Sequence, residues 1–235
     1  MTRIGIIVFP GSNCERDVQL IINKFLKIKS DFIWHTHTHI DDYDAIVLPG
    51  GFAYGDRLRA GIIAAHSPIM HEVKKLAEKG RPILGICNGF QILVEAGLLP
   101  GALITNNVLQ FTCKWVRIKV INNTTPFTNL FEKFESISVP IAHGEGRYLI
   151  NSEELKSLRE HDQIVFEYQD FNPNGSVDMI AGICNRSKNV LGMMPHPERA
   201  SDPLLLPKNE IGNSVNIFNS LIWFITNSID VCKFN

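Results

Sequence analysis

Residues 83–97, ILGICNGFQILVEAG, set one cysteine between two glycines, where an apolar run gives way to a helical pattern. Gly85-Ile86-Cys87-Asn88-Gly89 has the form of a nucleophile elbow. In that turn the reactive side chain is forced into a strained backbone conformation, and the flanking glycines let strand and helix approach without clashing Cβ atoms. Such a thiol would project beyond the carboxyl edge of a parallel sheet. It would also sit at a helix N-terminus, whose partial positive charge favours an anionic sulfur. The alternative is a core cysteine in a strand-to-helix turn, and the pentapeptide alone leaves both open.

A sulfur nucleophile needs a base. Among eight histidines, His196 stands out in Met194-Pro195-His196-Pro197-Glu198, because Pro197 biases it toward an extended backbone. In an extended chain residues i and i+2 project to one side, so Glu198 can orient the imidazole as a triad requires. His143, in AHGEG, also has a carboxylate two residues on, but lacks the flanking prolines. Acyl transfer further needs donors for an oxyanion. Pro49-Gly50-Gly51-Phe52 ends a strand with bare N–H groups, and the N–H of Asn88 directly follows the thiol. His35, His37 and His39 would share one face of a strand, but two-residue steps spread them ~6–7 Å apart, awkward for one metal ion. No metal site is expected, and Cys14, Cys113, Cys184 and Cys232 are expected to be inert.

The elements that must hold these residues are legible from periodicity. RIGIIVF is a β-branched strand stopped by Pro10-Gly11, and residues 14–28 follow with helical spacing, Val18, Ile21, Ile22, Phe25 and Leu26 on one face. Residues 31–40 read as a second strand, DAIVLPGG as a third, and residues 59–79 as a helix broken near Ser67-Pro68. RPILGI then gives a fourth strand and NGFQILVEAGLL a helix. This β-α-β-α order predicts an α/β fold, an open, mostly parallel sheet with helices on both faces. KWVRIKVI, SISVPIAHGEGRYLI, QIVFEYQD and SVDMIAGICN read as further short strands, a few of them antiparallel, and NVLGMMPHPER as a last strand entering a Pro-rich turn. Residues 121–136 carry no motif and are expected at the surface. No repeat or linker divides residues 1–235, so a single domain is expected.

Composition removes several classes of function. The chain is 45% hydrophobic and 20% charged with a formal net charge of −1, enough for a sizeable core and without attraction for nucleic acid or an anionic membrane. Five cysteines, an odd number with no CxxC, suit a reducing compartment. The N-terminal apolar run is too short for a signal-peptide core. The C-terminal VNIFNSLIWFITNSI is interrupted by polar residues, and Val215, Phe218, Ile222, Ile225 and Ile229 follow helical spacing, which predicts a packed amphipathic helix rather than a membrane span. A cytoplasmic protein is expected.

Taken together, FPGSNCERD, PGGFAYGDRLRAG, GICNGFQILVEAGLLPGAL, PIAHGEGRY, NPNGS and GMMPHPER resemble the class I, triad-type glutamine amidotransferases along nearly the whole chain. Within that class the six blocks, in this order, are similar to the glutaminase subunits of phosphoribosylformylglycinamidine synthases. The resemblance implies a flavodoxin-like fold and a Cys87–His196–Glu198 triad that attacks the side-chain amide of glutamine. It implies oxyanion or substrate contacts at Gly50, Gly51, Phe52 and Asn88, with Gln91 holding the amino-acid end of glutamine. His143, Gly144 and Glu145 fall in a further block of the resemblance, for which substrate contact and gating both stay open. It also implies a large synthetase subunit that binds ATP and magnesium, a small bridging subunit, and no cofactor on this chain. Independently of the resemblance, neither GxxxxGK[ST] nor a GxGxxG after the first strand is present, so if ammonia is to be added to an activated acceptor, another polypeptide is expected to do it.

Overall fold

The computed structural model describes residues 2–210 and 212–231. Its chain order begins β1 (Arg3–Val8), α1 (Glu15–Leu20), β2 (Lys29–Trp34), β3 (Ala45–Leu48), α2 (Ile62–Ala65), α3 (Pro68–Glu78), β4 (Ile83–Ile86) and α4 (Asn88–Glu95). It continues with β5 (Ala102–Ile104), β6 (Thr112–Val120), β7 (Ser136–His143), β8 (Arg147–Leu149), α5 (Ser152–Glu160) and β9 (Ile164–Tyr168). Strands β10 (Ile180–Cys184) and β11 (Val190–Met193) precede the closing helix α6 (Val215–Val231).

Nine strands form one sheet in the order β2-β1-β3-β4-β11-β10-β9-β6-β7, and β5 pairs with β8 apart from it. The half from β2 to β11 is parallel throughout, whereas each junction from β11 to β7 is antiparallel. Seven of the nine strands therefore run one way, and only β10 and β6 oppose them. This is the expected open, mostly parallel α/β sheet of flavodoxin-like order. Every residue of β3, β4 and β11 is buried, so both faces of the central sheet are covered. Helix α4 packs on β3, β4 and β11, and α1 on β1 and β2.

Several expectations need correction. The first helix is regular only to Leu20; residues 21–25 continue as a wider turn that still buries Ile21 and Ile22. Strand β2 stops at Trp34, where the backbone N–H of His37 turns back to the Trp34 carbonyl, so His35, His37 and His39 do not line one strand face. Residues 121–136 are not a surface segment: Thr125, Phe127, Thr128 and Phe131 are buried, and Leu130 N–H donates to Ser220 Oγ on α6 at 3.2 Å. Two phenylalanines four apart, each needing cover, draw the loop inward. Helix α5 is an addition to the sequence reading; Asn151 caps it, accepting from Glu154 N–H. In α6, Ile217, Phe218, Leu221 and Ile225 are buried while Trp223 is exposed, as an amphipathic helix requires. No helix among the described residues is long and apolar enough to cross a membrane. Cys232 lies outside the described residues, as does the side chain of Ile229.

The approach of α4 to the sheet gives a direct test. A Cβ on Gly89 would lie 2.0 Å from the Leu48 carbonyl oxygen, whereas one on Gly97 meets nothing within 4 Å and pays only for its φ of +73°. Urea denaturation should show Gly97→Ala costing about 1–2 kcal/mol from the left-handed backbone alone. Gly89→Ala should cost at least about 3 kcal/mol, because backbone rather than a flexible side chain blocks the methyl group.

Candidate active site

Cys87 ends β4 and stands at the N-cap of α4 with φ 50° and ψ −105°, a conformation outside the regions L-residues normally occupy. Its N–H donates to Met193 O at 2.8 Å, tying the bend to β11. The glycines around it are sterically required. A Cβ on Gly85 would meet Leu93 Cδ1 at 2.5 Å and the Gly89 carbonyl oxygen at 2.7 Å, and Gly89 faces Leu48 as described. The sequence elbow is thus a real one, and the thiol donates outward to Ala142 O at 3.8 Å.

His196 follows β11 and is fixed from the other side by its N–H to Pro140 O at 2.9 Å. Its Nδ1 pairs with Glu198 Oε1 at 2.7 Å, and each residue is only 2% exposed. Pro197 opens a tight helical turn over Pro197–Ala200 that carries Glu198 back beside the ring. Burial by itself would lower the pKa of His196. The carboxylate of Glu198 and the sulfurs of Cys87 and Cys14 outweigh it and hold the pKa well above the ordinary histidine value. Nε2 of His196 has no protein partner among the described residues, which leaves it free for a reacting group.

Cys87 and His196 line a cavity of about 250 Å³ together with Gly51, Phe52, Cys14 and Arg199. A second, of about 190 Å³, shares Gly51, Phe52 and Cys87 and extends past Gln91 to His143, Gly144 and Glu145. A larger one of about 570 Å³, near Leu98 and Arg186, holds none of these residues. Gly51, at φ 150°, and Asn88 bring N–H groups to this region, and neither meets a backbone or side-chain acceptor among the described residues. The N–H of Phe52, by contrast, donates to Gly11 O at 2.9 Å, so Phe52 contributes its ring rather than an oxyanion donor. Gly50 supplies clearance: a Cβ there would lie 2.6 Å from His196 Cε1. Gln91 is clamped, its Nε2 donating to Glu145 O at 2.7 Å and its Oε1 accepting from Asn88 Nδ2 at 2.9 Å.

His143 belongs to a different network. Asn106 Oδ1 accepts from Gly146 N–H at 3.0 Å and faces His143 Nδ1 at 3.1 Å, while Asn106 Nδ2 donates to His143 O at 2.9 Å. An oxygen can only accept, so Nδ1 carries the hydrogen and Nε2 keeps a lone pair. Burial, and secondarily the charge of His196, lowers the pKa of His143 to about 4, so this ring is neutral beside a protonatable one.

Three participants escaped the sequence reading. Cys14, expected to be inert, lies inside the site: only 1% exposed, it lines the cavity with Cys87 and accepts from Arg199 Nη2 at 3.1 Å. Burial pushes its pKa up. Asp56 lines the second cavity, and Asn106 anchors the 143–146 turn. Each lies within or beside a motif block, but only the fold shows which side chains point inward. Cys184 is buried away from the site with its pKa pushed up to about 12 by burial. Cys113 is exposed and reaches the rim of the first cavity.

A thiol on a strained elbow, a buried imidazole–carboxylate pair and two free N–H groups at the carboxyl ends of a parallel sheet are the arrangement of an α/β enzyme that performs acyl transfer through a thiol. The sequence model of the CobB/CobQ-like glutamine amidotransferase domain matches residues 1–225, and the chain belongs to that family. Among solved structures, a chain of PurLQS from Thermotoga maritima is 44% identical, with 95% of this chain and 99% of that one covered and a TM-score of 0.85. The glutaminase domain of Trypanosoma brucei CTPS with bound acivicin is 14% identical, covers 97% and 94%, and gives a TM-score of 0.61. A Thermotoga maritima glutamine amidotransferase is 14% identical, covers 100% and 86%, and gives 0.56. These last two share the fold.

The neutral state of His143 has a measurable consequence. Above pH 6.5 its ring is uncharged in folded and unfolded chains alike; between 6.5 and about 4 the unfolded chain binds a proton that the folded chain refuses. Stability should therefore fall as pH drops through that window, by up to about 3 kcal/mol from this residue. His143→Asn keeps a donor for Asn106 but cannot titrate. Urea midpoints across pH 4–7 should decline less steeply for the variant.

Proposed function

We propose that this chain hydrolyses glutamine through a γ-glutamyl thioester on Cys87 and delivers the ammonia to a synthetase partner. That partner converts formylglycinamide ribonucleotide to formylglycinamidine ribonucleotide with ATP, in purine biosynthesis. The chemistry is carried by one observation: a buried His196–Glu198 pair at 2.7 Å shares a cavity with a thiol held on a strained bend. The acceptor is supported by 44% identity to a PurLQS chain over nearly the full length of both.

Two thiols face His196, and backbone geometry favours Cys87 as the nucleophile. Only Cys87 sits on the strained bend beside the free N–H of Asn88, whereas Cys14 is pinned by Arg199 and Asn13. Cys87 Sγ, having passed its proton to His196, attacks the carboxamide carbon as a thiolate, while Glu198 holds the ring and balances its charge. The oxyanion forms against the N–H groups of Gly51 and Asn88. His196 returns the proton to nitrogen, the C–N bond breaks, and ammonia leaves a thioester. Water, deprotonated by the same imidazole, then attacks the thioester carbon; glutamate departs and the thiol is restored.

The chain's part ends with ammonia. A large synthetase subunit would bind ATP, magnesium and the acceptor, and a small subunit would bridge the two, in the cytoplasm. Passage along a sheltered route would prevent protonation and loss of ammonia to water. This chain would itself bind no cofactor.

In the assembled complex, Cys87→Ala should abolish glutamine-dependent turnover and leave turnover with ammonium salts intact; loss of both would give Cys87 a structural role. Cys14→Ser should retain glutamine-dependent turnover. Glu198→Gln keeps the shape of the pair without its charge, and should lower glutaminase kcat by about 10²- to 10⁴-fold.

A further inference from the structure

Thiol hydrolysis uses Cys87, His196 and Glu198, yet a second sulfur is packed into the same group. Cys14, His196 and Glu198 each place a ligand atom within 4.8 Å of the other two, and all three residues are buried. Cys14 directly precedes α1, whereas His196 and Glu198 follow β11. The space between them is kept open by Gly50. A Cβ there would lie 3.1 Å from Cys14 Sγ, 3.3 Å from His196 Nδ1 and 2.6 Å from His196 Cε1, so the sulfur and the ring nitrogen border one gap. Glu198 adds an independent sign of a missing partner. It is 2% exposed, and its Oε2 is buried without a hydrogen bond among the described residues. A buried carboxylate oxygen left so is costly until a cation or a donor meets it.

We propose that Cys14, His196 Nδ1 and Glu198 form a binding site for a soft divalent cation of the Zn²⁺ kind, and that its occupancy switches the glutaminase off. Thiolate, imidazole and carboxylate are the ligand types that Zn²⁺ takes, and a set containing sulfur selects it over Mg²⁺. A tetrahedral ion with bonds of about 2.0–2.3 Å needs ligand atoms roughly 3.3–3.8 Å apart, so the three groups need close by only about 1 Å. The ion takes the place of the hydrogen between Nδ1 and Glu198. That proton and the thiol proton of Cys14 pass to water, which leaves the ion and its three ligands neutral together and the fourth position to a water molecule.

The surroundings suit such an ion. Arg199 Nη2 donates to Cys14 Sγ at 3.1 Å, which favours the thiolate. The Nε of the same guanidinium donates to Asp17 Oδ2 at 3.3 Å, so its charge is balanced on the side away from the sulfur. The effect on the reaction follows from the tautomer. With a metal on Nδ1, the neutral imidazole carries its hydrogen on Nε2, the nitrogen that must take the Cys87 proton. Glu198 is at the same time drawn from the ring to the ion. Binding depends on these three groups alone, whereas the loss of activity rests on the glutaminase reading above.

The test has a spectroscopic and a kinetic arm. The full chain is titrated with Co²⁺, which absorbs visibly in sulfur-containing sites and stands in for Zn²⁺. The assembled complex is assayed at buffered free Zn²⁺ with Mg²⁺ in excess. Wild type should bind one Co²⁺ with sulfur-to-metal charge-transfer absorption that Zn²⁺ displaces, and Cys87→Ala should keep that band. Cys14→Ser should lose the band and weaken Co²⁺ binding by at least about 10- to 100-fold, the loss that even outer-shell changes cause. Glu198→Gln should weaken binding in the same direction, and decides the matter if Cys14→Ser does not fold. In the complex, Zn²⁺ should abolish glutamine-dependent turnover, spare turnover with ammonium salts, and be reversed by a zinc-selective chelator. Relative to its own uninhibited rate, Cys14→Ser should need at least about 10-fold more Zn²⁺ for half inhibition. A band that vanishes in Cys87→Ala and survives in Cys14→Ser, equal Zn²⁺ sensitivity of Cys14→Ser and wild type, or no stoichiometric binding by wild type would overturn the proposal. The expected Co²⁺ pattern without glutamine hydrolysis by the wild-type complex would support the site and defeat the reading of the substrate instead.

Discussion

The catalytic face depends on how closely α4 presses against the sheet. Any side chain at Gly89 would overlap the Leu48 carbonyl, and any at Gly192 would strike the Phe90 ring at 2.1 Å. With both positions bare, the helix begins directly at the strand end and the connecting residue has no room to relax. Cys87 takes up the mismatch as a positive φ, at a cost of the order of 1–3 kcal/mol that the surrounding core must cover. The first turn of the same helix then becomes an organising strut. Asn88 reaches the 53–58 loop and Gln91 reaches the turn at Glu145, so three parts of the chain far apart in sequence take their positions from one helix end.

Charge is partitioned across this face. His196 sits against a buried carboxylate and two sulfurs, all of which favour its protonated form. His143 sits against an amide oxygen that fixes its tautomer, and near His196, whose charge opposes a second proton. Two imidazoles brought into one site are thereby driven in opposite directions, one toward proton transfer and the other toward accepting a hydrogen bond while neutral. Neither behaviour is a property of histidine alone. At His196 the carboxylate on Nδ1 and the two sulfurs outweigh burial; at His143 burial and the charge of His196 prevail, and the carboxamide on Nδ1 fixes the tautomer.

How much of this the sequence disclosed depends on whether a feature is local. The Gly-X-Cys-X-Gly elbow and the His-Pro-Glu pair are written in consecutive residues, and backbone constraints from glycine and proline make their shape predictable. The parallel half of the sheet was legible for the same reason, through short apolar runs alternating with helical spacing. The expected strand through His39 failed because one turn at Trp34 redirects the chain, and alternation of residue types cannot register such an event. The 121–136 segment lacks periodicity yet buries Phe127 and Phe131, since its cover comes from distant packing. Cys14 and Asp56 were invisible as participants for a related reason. Both lie in turns, where the direction of a side chain is set by tertiary anchors such as Arg199 and Asn88.

The two cavities meet at Cys87, and their linings differ in kind. One side holds the proton-handling groups, His196 with Glu198 behind it, and the other holds acidic and neutral acceptors with no basic residue among them. A ligand bridging both would present its electrophilic carbon at the junction, beside Cys87. Glutamine can place its carboxamide at that junction, with the departing ammonia on the His196 side. That side is bounded by Cys14, Arg199 and the Asn13 segment, which leave about 250 Å³ in all. The two walls are built by segments far apart in sequence, and both meet at the same strained residue.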